Sequence, residues 1–255
     1  MQHSQIDFNL RGRRALVTGS ASGIGLATAE RLSRSGAHVA MNGISGESLE
    51  TAVRRLKGVG LAVDAVAGDL SSSKTAREVA ERAVELLGGL DYLVNNAGAP
   101  LTRTPIPPSD LDSLTDDFWE QIIRINLLSA FWVTKAVAPA LRQSGGAVVN
   151  TVSAAALGGG ASSTAYATAK AGLAALTREL ARGLAPKVRV NGISPSFVNS
   201  NWPCSFGDIE LTAKTSAALA RVGQPEEYAE VIVYLCAGAS YITGEVIAVS
   251  GGFRL

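Results

Sequence analysis

The sequence predicts an α/β protein in which helices cover both faces of a parallel sheet. The first observation is a series of short apolar runs, which we interpret as strands: residues 15–18, 38–41, 62–66, 92–95, 147–152, 188–193 and 246–249. Longer amphipathic segments separate them and predict helices over residues 25–35, 49–57, 74–87, 116–141, 163–184 and 226–235. Strands that alternate with helices indicate a parallel sheet with right-handed crossover connections.

The chain is predicted to form a single domain over residues 1–255, because no repeat or low-complexity linker divides it. Two segments fit the alternating pattern poorly: residues 99–114, which contain four prolines, and residues 199–220. Both follow the carboxyl ends of predicted strands, where ligands bind in open α/β sheets. They are candidate substrate walls, and ordinary surface loops are an equally consistent interpretation.

The composition excludes several classes of function. Among 255 residues, 23 basic and 22 acidic side chains give a net charge of +1, so no field favours nucleic acid or an anionic membrane. Two cysteines 32 residues apart and two histidines near the N-terminus lack the spacing of a zinc site, and we expect no metal. Residues 231–249, the most apolar region, are interrupted by glycines and a glutamate, so no span is expected. Without an apolar stretch like a signal peptide, we expect a cytoplasmic protein.

A glycine-rich turn follows the first predicted strand and opens the first helix. Residues 18–25 read Thr-Gly-Ser-Ala-Ser-Gly-Ile-Gly, and no Gly-Lys-Ser/Thr sequence of a Walker loop follows. Glycine lets the backbone approach a pyrophosphate closely, and the helix N-terminus offers free N–H groups. This context predicts a dinucleotide site, with candidate contacts at Gly19, Ser20, Ser22, Gly23, Ile24 and Gly25.

The end of the second predicted strand bears on the choice between NAD and NADP. An acidic residue there binds the ribose 2′-hydroxyl, whereas an arginine favours the 2′-phosphate. Residues 41–45 read Met-Asn-Gly-Ile-Ser and carry no charge. The missing acid removes the barrier to NADP, and Ser22, Asn42 and Ser45 offer hydrogen bonds to a phosphate. The sequence therefore predicts a modest preference for NADP(H).

Tyr166 and Lys170 lie four residues apart in an alanine-rich segment that predicts a helix. Residues i and i+4 share one helix face, so the phenol and the ammonium are neighbours. A nearby cation favours the phenolate, and we expect the pKa of Tyr166 to fall from its reference of ~10 toward the working pH. Ser153, thirteen residues upstream at the end of a predicted strand, can steady a carbonyl or alcohol oxygen. Taken alone, the pair is equally consistent with a chance surface contact.

These motifs together resemble the short-chain dehydrogenase/reductase family. The glycine-rich turn, the Asn-Asn-Ala-Gly of residues 95–98, Ser153, Tyr166 and Lys170 occur in the family's order over about residues 13–252. The chain is similar to the single-domain branch with the 3-oxoacyl carrier-protein reductases and many sugar, polyol and steroid dehydrogenases. The resemblance implies a Rossmann-type, doubly wound sheet of seven parallel strands. It also implies an NAD(P)(H)-dependent oxidoreductase that transfers hydride between nicotinamide and a carbonyl or secondary alcohol.

The resemblance also implies roles for individual residues. Tyr166 is expected to act as acid or base, Ser153 to position the substrate oxygen, and Lys170 to bind the nicotinamide ribose while tuning Tyr166. Asn126 is expected to shape a helix and hold a water in the proton relay. Further implied cofactor contacts are Asp69, Leu70, Asn96, Ala97, Gly98, Pro195, Ser196 and Val198. Asn96 and Asn126 can instead simply cap or bridge backbone groups.

The chain departs from the family pattern at two positions. Ser196 replaces a glycine after the sixth predicted strand, and we expect its side chain to narrow the pocket beside the nicotinamide. Ser250 replaces an aspartate before the final glycine pair, with no expected catalytic consequence. The presence of Ser153 and the Tyr-x-x-x-Lys spacing favour carbonyl chemistry over the enoyl reductases. A catalytically silent NAD(P)-binding sensor has no need of Tyr166, and a methyltransferase leaves Tyr166 and residues 95–98 unexplained.

The substrate and the assembly are predicted only in outline. The substrate is a small molecule, and Trp202 and Phe206 suggest a partly apolar lid. The helices over residues 116–141 and 163–184 are expected to pair between subunits of a homotetramer, with residues 246–255 forming a second interface. Apolar side chains offered to a partner are Phe131, Trp132 and Leu173, although all of them can instead enter the monomer's own core.

Overall fold

A computed structural model of the protein describes residues 8–44, 46–158 and 160–253. Its parallel strands form one sheet: β1 (Arg14–Val17), β2 (His38–Met41), β3 (Val63–Ala65), β4 (Tyr92–Asn95), β5 (Ala147–Thr151), β6 (Arg189–Pro195) and β7 (Val246–Val249). The seven strands lie in the order β3-β2-β1-β4-β5-β6-β7. The predicted fold class, a doubly wound parallel sheet of the Rossmann type, is confirmed.

The helices alternate with the strands as predicted. They are α1 (Gly23–Arg34), α2 (Gly46–Gly58), α3 (Ser73–Leu87), α4 (Asp116–Ile123), α5 (Ser129–Ser144), α6 (Thr164–Leu184), α7 (Ile209–Ser216) and α8 (Pro225–Ala237). The helix predicted over residues 116–141 contains a π-helical turn, Arg124–Leu128, between α4 and α5. Helix α7 lies inside the segment 199–220, for which the sequence predicts no regular element.

Both faces of the sheet are buried, which explains why the strands read as continuous apolar runs. Along β1, Ala15 and Val17 point to one face, where they pack with residues of α1 and α8 such as Leu32. Leu16, between them, points to the other face and packs with residues of α3 and α5 such as Val137. The alternation follows from the two-residue period of a strand.

A row of buried polar side chains crosses the centre of the sheet and fixes α5 and α6 on it. Asn95 Nδ2 donates to Asn150 Oδ1 at 2.9 Å and to Thr134 Oγ1 at 3.0 Å, which joins β4, β5 and α5. Asn150 Nδ2 donates to Thr177 Oγ1 at 2.9 Å, which joins β5 to α6. All four residues are buried, so the hydrogen bonds act in a low dielectric and hold α6 over the carboxyl end of β5.

The strand order reverses between β1 and β4, which creates a crevice at the carboxyl edge of the sheet. Ligands of doubly wound sheets bind at such a switch point. The segments 99–114 and 199–220 both lie along this edge because they follow β4 and β6. They also contact each other, since Ser205 N donates to Arg103 O at 2.9 Å. Ile106 N donates to Ser162 O, just before α6, at 2.9 Å.

Of the three apolar side chains on α5 and α6 that the sequence offers to a partner subunit, one is buried in the monomer. Leu173 is wrong as a candidate subunit contact, because it is 2% exposed and packs beside Val152 in the protein's own core. Phe131 is exposed and Trp132 is half-buried, so these two stay available on α5.

One continuous helix, Asp116–Ser144, is long and apolar enough to cross a membrane by length and composition alone. Half of its most apolar window is buried inside the fold, where Val133, Val137 and Leu141 pack against α3. Core helices pass the same test of length and composition, so the match is weak evidence for a span.

Candidate active site

The glycine-rich turn after β1 restricts its glycines through backbone conformation or through lack of space. Gly19 and Gly23 adopt left-handed backbone angles, with φ of +60° and +54°. A Cβ on Gly25 would lie 2.3 Å from Gly19 O and 2.6 Å from Asn96 Nδ2. The turn therefore requires glycine at these positions, for conformation at the first two and for space at the third.

Asn96 fixes this turn through side-chain hydrogen bonds to its backbone. Its Nδ2 donates to Thr18 O at 3.2 Å and to Gly19 O at 3.0 Å, and its Oδ1 accepts from Thr151 Oγ1 at 3.3 Å. Thr18 Oγ1 in turn accepts from the backbone N–H groups of Asn96 and Ala97, both at 3.0 Å. The backbone-bridging alternative for Asn96 is thus what the side chain does, and Asn96 and Ala97 set the position of the turn.

Asn42, predicted to contact a ribose phosphate, and Ser20, predicted as a contact in the glycine-rich turn, both hydrogen-bond to the scaffold. Asn42 uses its amide N–H₂ to donate to Val66 O at 3.0 Å and to Gly68 O at 3.1 Å. Ser20 donates its hydroxyl to Asn42 O at 3.2 Å. Both amide N–H groups of Asn42 are used in this way, so the predicted hydrogen bond from its side chain to a phosphate is wrong.

Ser22 differs from these two residues, and it begins α1. Its side chain is exposed and makes no capping hydrogen bond, which leaves the hydroxyl available at the helix N-terminus. Ile24 is half-buried one turn further along. The third predicted phosphate contact, Ser45, lies outside the described residues.

At the predicted adenine end, Asp69 and Leu70 face opposite ways. Asp69 is exposed, and its carboxylate accepts from Ser71 N at 2.9 Å and Ser71 Oγ at 2.8 Å. Leu70 is buried with residues of α3, so only its backbone is left to contact a ligand.

Ser153, Tyr166 and Lys170 come together at the carboxyl end of β5. Ser153 begins a 3₁₀ turn, Ala154–Leu157, and shares a hydrogen bond with the Tyr166 hydroxyl. Ser163 Oγ caps α6 by accepting from Tyr166 N at 3.1 Å. Lys170 Nζ donates to Thr151 O at 2.8 Å and lies 5.8 Å from the centroid of the Tyr166 ring.

Burial dominates the electrostatics of this trio. Desolvation raises the pKa of Tyr166 above its usual value, and the hydrogen bond from Ser153 offsets only part of that rise. The predicted fall in the pKa of Tyr166 is therefore wrong for the protein alone, because the Lys170 ammonium is turned toward a backbone carbonyl. Desolvation also lowers the pKa of Lys170 to about 8, so the ammonium is still charged at neutral pH.

Asn126 lies in the π-helical turn, a feature frequent at functional sites. Its Nδ2 donates to Ala99 O at 2.9 Å and to Ile122 O at 3.0 Å, and its Oδ1 accepts from Ala99 N at 3.1 Å. Gly98 separates it from the trio: a Cβ there would lie 2.8 Å from Asn126 Oδ1 and 3.3 Å from Lys170 Nζ. The structure therefore brings Asn126 beside Lys170, with the loop after β4 hydrogen-bonded to it.

The Ser196 hydroxyl donates to Ser250 O at 3.1 Å. The narrowing expected beside the nicotinamide stays a prediction. The two departures from the family pattern thus contact each other, across the ends of β6 and β7. Pro195 ends β6, and Val198 pairs with Gly223 in an isolated bridge.

An apolar wall closes over the tyrosine. The ring of Trp202 meets the Tyr166 ring edge-on, with centroids 6.0 Å apart and planes at 65°. Cys204, two residues after Trp202, is buried. It lies close enough to Tyr166 for a negative charge on its sulfur to raise the pKa of the phenol. Phe206 is exposed nearby in the chain. The predicted apolar lid is therefore present at Trp202.

Sequence reasoning missed two residues that hold the site together, Thr18 and Thr151. Thr18 directly follows β1 and Thr151 ends β5, so both lie at the carboxyl edge of the sheet. Their position after a predicted strand could have marked them as site residues. Their hydrogen-bond partners could not be predicted, because Asn96 lies in a separate part of the chain. Among the described residues, no cluster of His, Cys, Asp and Glu side chains is placed to hold a metal ion.

Comparison with known proteins identifies the family. Residues 19–254 match a family model described as "Enoyl-(Acyl carrier protein) reductase". The chain is 36% identical over 252 residues to a 3-oxoacyl-[acyl-carrier-protein] reductase of Aquifex aeolicus, covering 97% of this chain and 99% of that protein. The chain belongs to the short-chain dehydrogenase/reductase family. The predicted class, an NAD(P)-dependent oxidoreductase acting on carbonyl or alcohol groups, is thereby confirmed.

Among solved structures of similar proteins, one contains NADPH and another contains NADH. A blue fluorescent protein from a metagenomic library, in complex with NADPH, is 30% identical with a TM-score of 0.87 and covers 97% of this chain and 100% of its own. A 7α-hydroxysteroid dehydrogenase, in complex with NADH and a 7-oxo bile acid conjugate, is 29% identical with a TM-score of 0.88 and covers 96% of each chain. The neighbours thus leave the choice between NAD and NADP open.

The residues of this chain fit a nicotinamide dinucleotide. The turn at Gly19 and Gly25 is a cradle that a Cβ would fill, and it ends at the N-terminus of α1 beside the available hydroxyl of Ser22. At the other end of the crevice, Lys170 makes one hydrogen bond and keeps two N–H donors beside Gly98.

We expect the substitution Gly25→Ala to weaken cofactor binding. The added Cβ cannot lie 2.3 Å from Gly19 O, so the turn must shift away from the position that accepts a pyrophosphate. A shift of this kind costs about 1–3 kcal/mol, which corresponds to at least a ~5-fold rise in the dissociation constant. Fluorescence titration with NADPH and NADH measures it. Gly58→Ala, on the exposed end of α2 with nothing near its Cβ, is the control, and equal affinities in the two variants would contradict the expectation.

Proposed function

We propose that the protein catalyses the reversible reduction of a carbonyl to a secondary alcohol, with Tyr166 as the acid that protonates the substrate oxygen. The observation that carries this proposal is the placement of Ser153, Tyr166 and Lys170 under Trp202, at the end of β5 beside the glycine cradle. When bound, the nicotinamide supplies or accepts the hydride. The chain's own residues orient the substrate oxygen and move its proton.

The state of Tyr166 supports proton donation. Because burial raises the pKa of Tyr166, its phenol is neutral at physiological pH and carries the proton that a reduced carbonyl needs. Ser153, hydrogen-bonded to that phenol, lies within reach of the same substrate oxygen. In the oxidative direction the phenol must first lose its proton, and the charged Lys170 ammonium 5.8 Å from the ring favours the phenolate.

Asn126 and Lys170 continue the polar path beyond the tyrosine. Both lie against Gly98, with the Lys170 ammonium and the Asn126 carbonyl oxygen each close to its α carbon. We assign Lys170 to the ribose of the nicotinamide and Asn126 to the relay through which Tyr166 exchanges its proton with water. Asp69 would contact the adenine, and the segment Pro195, Ser196 and Val198 the nicotinamide end.

The substrate enters, in this proposal, between the segments 99–114 and 199–220 of a single-domain chain. Their contact through Arg103 and Ser205 makes them one wall, and Trp202 gives that wall an apolar surface over Tyr166. The hydrogen bond between Ser153 and Tyr166 supports a carbonyl substrate over the carbon–carbon double bond of an enoyl substrate, which needs no second hydroxyl at its oxygen.

Replacing Tyr166 with Phe tests the mechanism. The variant keeps the ring but loses the proton donor, so turnover should fall by at least the ~10²-fold typical of general acid catalysis while cofactor affinity stays near wild type. Steady-state kinetics on a panel of carbonyls and alcohols, with both cofactors, provides the measurement. Tyr92→Phe is the matched control, because Tyr92 lies at the amino end of β4, away from the carboxyl edge of the sheet. Wild-type turnover in Tyr166→Phe would rule out the proposed acid.

For the cofactor, we propose a modest preference for NADP(H). The support is the absence of an acidic side chain at Gly43, which follows β2, together with the available hydroxyl of Ser22. The groove beside Gly43, between α1 and α2, contains one acid and one base, Glu47 and Arg55, so its charge is balanced. Asn42 adds no donor to this site.

The substitution Gly43→Asp should shift the preference toward NAD. Gly43 has room for a side chain, because its Cβ would meet Ala21 and Leu49 at ordinary contact distances of 3.5 and 3.6 Å. An aspartate there repels the 2′-phosphate and accepts from the 2′-hydroxyl. Dissociation constants for NADPH and NADH measure the shift, and Gly43→Asn separates charge from bulk. Tighter binding of NADH than NADPH by the wild type would contradict the proposal.

We also propose a cytoplasmic homotetramer of dihedral symmetry, paired through α5 and α6. Phe131 is exposed on α5, and Ala171 and Ala175 are exposed on α6, where small residues permit close helix approach. The second interface falls on residues 246–255, of which the last two lie outside the described residues.

Light scattering at micromolar concentration tests the assembly. The expected mass is about four times 26.3 kDa. Phe131→Asp places a charge on the exposed part of α5 and should lower the mass, whereas Lys74→Asp, exposed on α3 outside the proposed interface, is the control for charge alone. A mass near that of one chain would overturn the proposal, and a dimer would leave only the helix pairing.

A further inference from the structure

Residues 199–222 leave the sheet after β6 and return just before α8, and their two ends are hydrogen-bonded together. We call this junction the neck and define it as residues 197–199 and 223–224. Val198 pairs with Gly223 as a parallel bridge. Gly223 N donates to Phe197 O, and Asn199 N donates to Gly223 O, both at 2.9 Å. The neck is thus a two-stranded clasp at the base of the lid.

Tyr228, in the second turn of α8, completes the neck from below. Its hydroxyl donates to Phe197 O at 2.9 Å, so this carbonyl accepts two hydrogen bonds, one from Tyr228 and one from Gly223. The side chain is buried, and burial raises its pKa to about 12, which keeps the hydroxyl protonated and donating. A Cβ on Gly223 would lie 2.4 Å from this hydroxyl. Gly223 has no left-handed φ, so the close approach of Tyr228 is the reason that a glycine stands there.

The returning arm of the neck is tied to the same helix. Glu227 accepts from Gln224 N at 2.8 Å and forms a two-pronged ion pair with Arg221 at 2.8 and 2.6 Å. The start of α8 therefore holds both arms, through Tyr228 on one side and Glu227 on the other.

The neck lies directly beside the segment assigned to the nicotinamide end. On one side of that segment, Ser196 is fixed to Ser250 by the hydrogen bond of 3.1 Å. On the other side, Phe197 is fixed to α8 by Tyr228. The backbone between Pro195 and Val198 is consequently held from both directions. Beyond the neck, backbone hydrogen bonds from Ser205 N to Arg103 O and from Leu219 N to Gly251 O, both 2.9 Å, join residues 199–222 to the rest of the fold.

We propose that Tyr228 is a positioning residue that acts through the Phe197 carbonyl to hold residues 195–198, and that it thereby aligns the nicotinamide half of the cofactor. The inference rests on the proposed function. The Tyr228 hydroxyl donates to Phe197 O and not to the glycine-rich turn, so its loss should leave the adenosine half of the site unchanged.

The substitution Tyr228→Phe removes the hydrogen bond and keeps the ring. We expect the dissociation constants for NADPH and NADH to rise about fivefold, the typical effect of losing one neutral hydrogen bond. ADP-ribose and its 2′-phosphate lack the nicotinamide, and their dissociation constants should change less than twofold. Calorimetric titration measures all four ligands. Tyr234→Phe, on the same helix, is the matched control, because the described residues give its hydroxyl no hydrogen bond.

The outcomes are distinct. Retained ADP-ribose affinity shows that the variant is folded, and a selective loss for the dinucleotides supports the inference. Equal losses for both kinds of ligand, or no loss for either, overturn it. Failure of the proposed function would be visible in the wild type instead, as the absence of nicotinamide dinucleotide binding.

Discussion

The site depends on one residue, Thr151, which joins its two halves. The Thr151 hydroxyl donates to Asn96, whose amide holds the glycine-rich turn through Thr18 and Gly19. The Thr151 backbone carbonyl accepts from Lys170, which stands beside Tyr166. The distance between the cofactor turn and the reacting side chains is therefore set by the end of a single central strand. A rigid link of this kind is what preorganised hydride transfer requires.

Burial sets the protonation states of Tyr166 and Lys170, and it disfavours the charged form of each. Desolvation disfavours charge on both Tyr166 and Lys170, so the pKa of the phenol rises while that of the ammonium falls to about 8. The two groups respond in opposite directions, and at neutral pH the pair is a neutral acid beside a cation. The carbonyl of Thr151 stabilises the ammonium, whereas the hydrogen bond from Ser153 lowers the pKa of the phenol and offsets part of its rise. An exposed Tyr-x-x-x-Lys pair would have neither property.

The fold and the candidate site were predictable to different depths. Strands buried on both faces produce apolar runs whose ends can be read within a few residues, and β2, β4 and β7 match their predicted bounds. The side-chain partners of Asn42 and Ser196 could not be read from the sequence, because Val66 and Ser250 follow β3 and β7 in other parts of the chain. The predicted direction of the Tyr166 pKa shift was wrong, since burial is a property of the whole fold. Spacing identified which residues meet, but not which atoms they bind.

The neck lies between the residues proposed to contact the cofactor and the residues that cover Tyr166, although the two groups are adjacent in the sequence. Phe197 belongs to the segment proposed to contact the nicotinamide, and Trp202, five residues later, packs against the tyrosine. Because Tyr228 and Gly223 hold the chain between them, changes in the lid need not displace the wall. Substrate preference can therefore vary through residues 199–220 while cofactor alignment stays constant. This division gives a physical reason for the buried tyrosine of α8 that packs against Gly223.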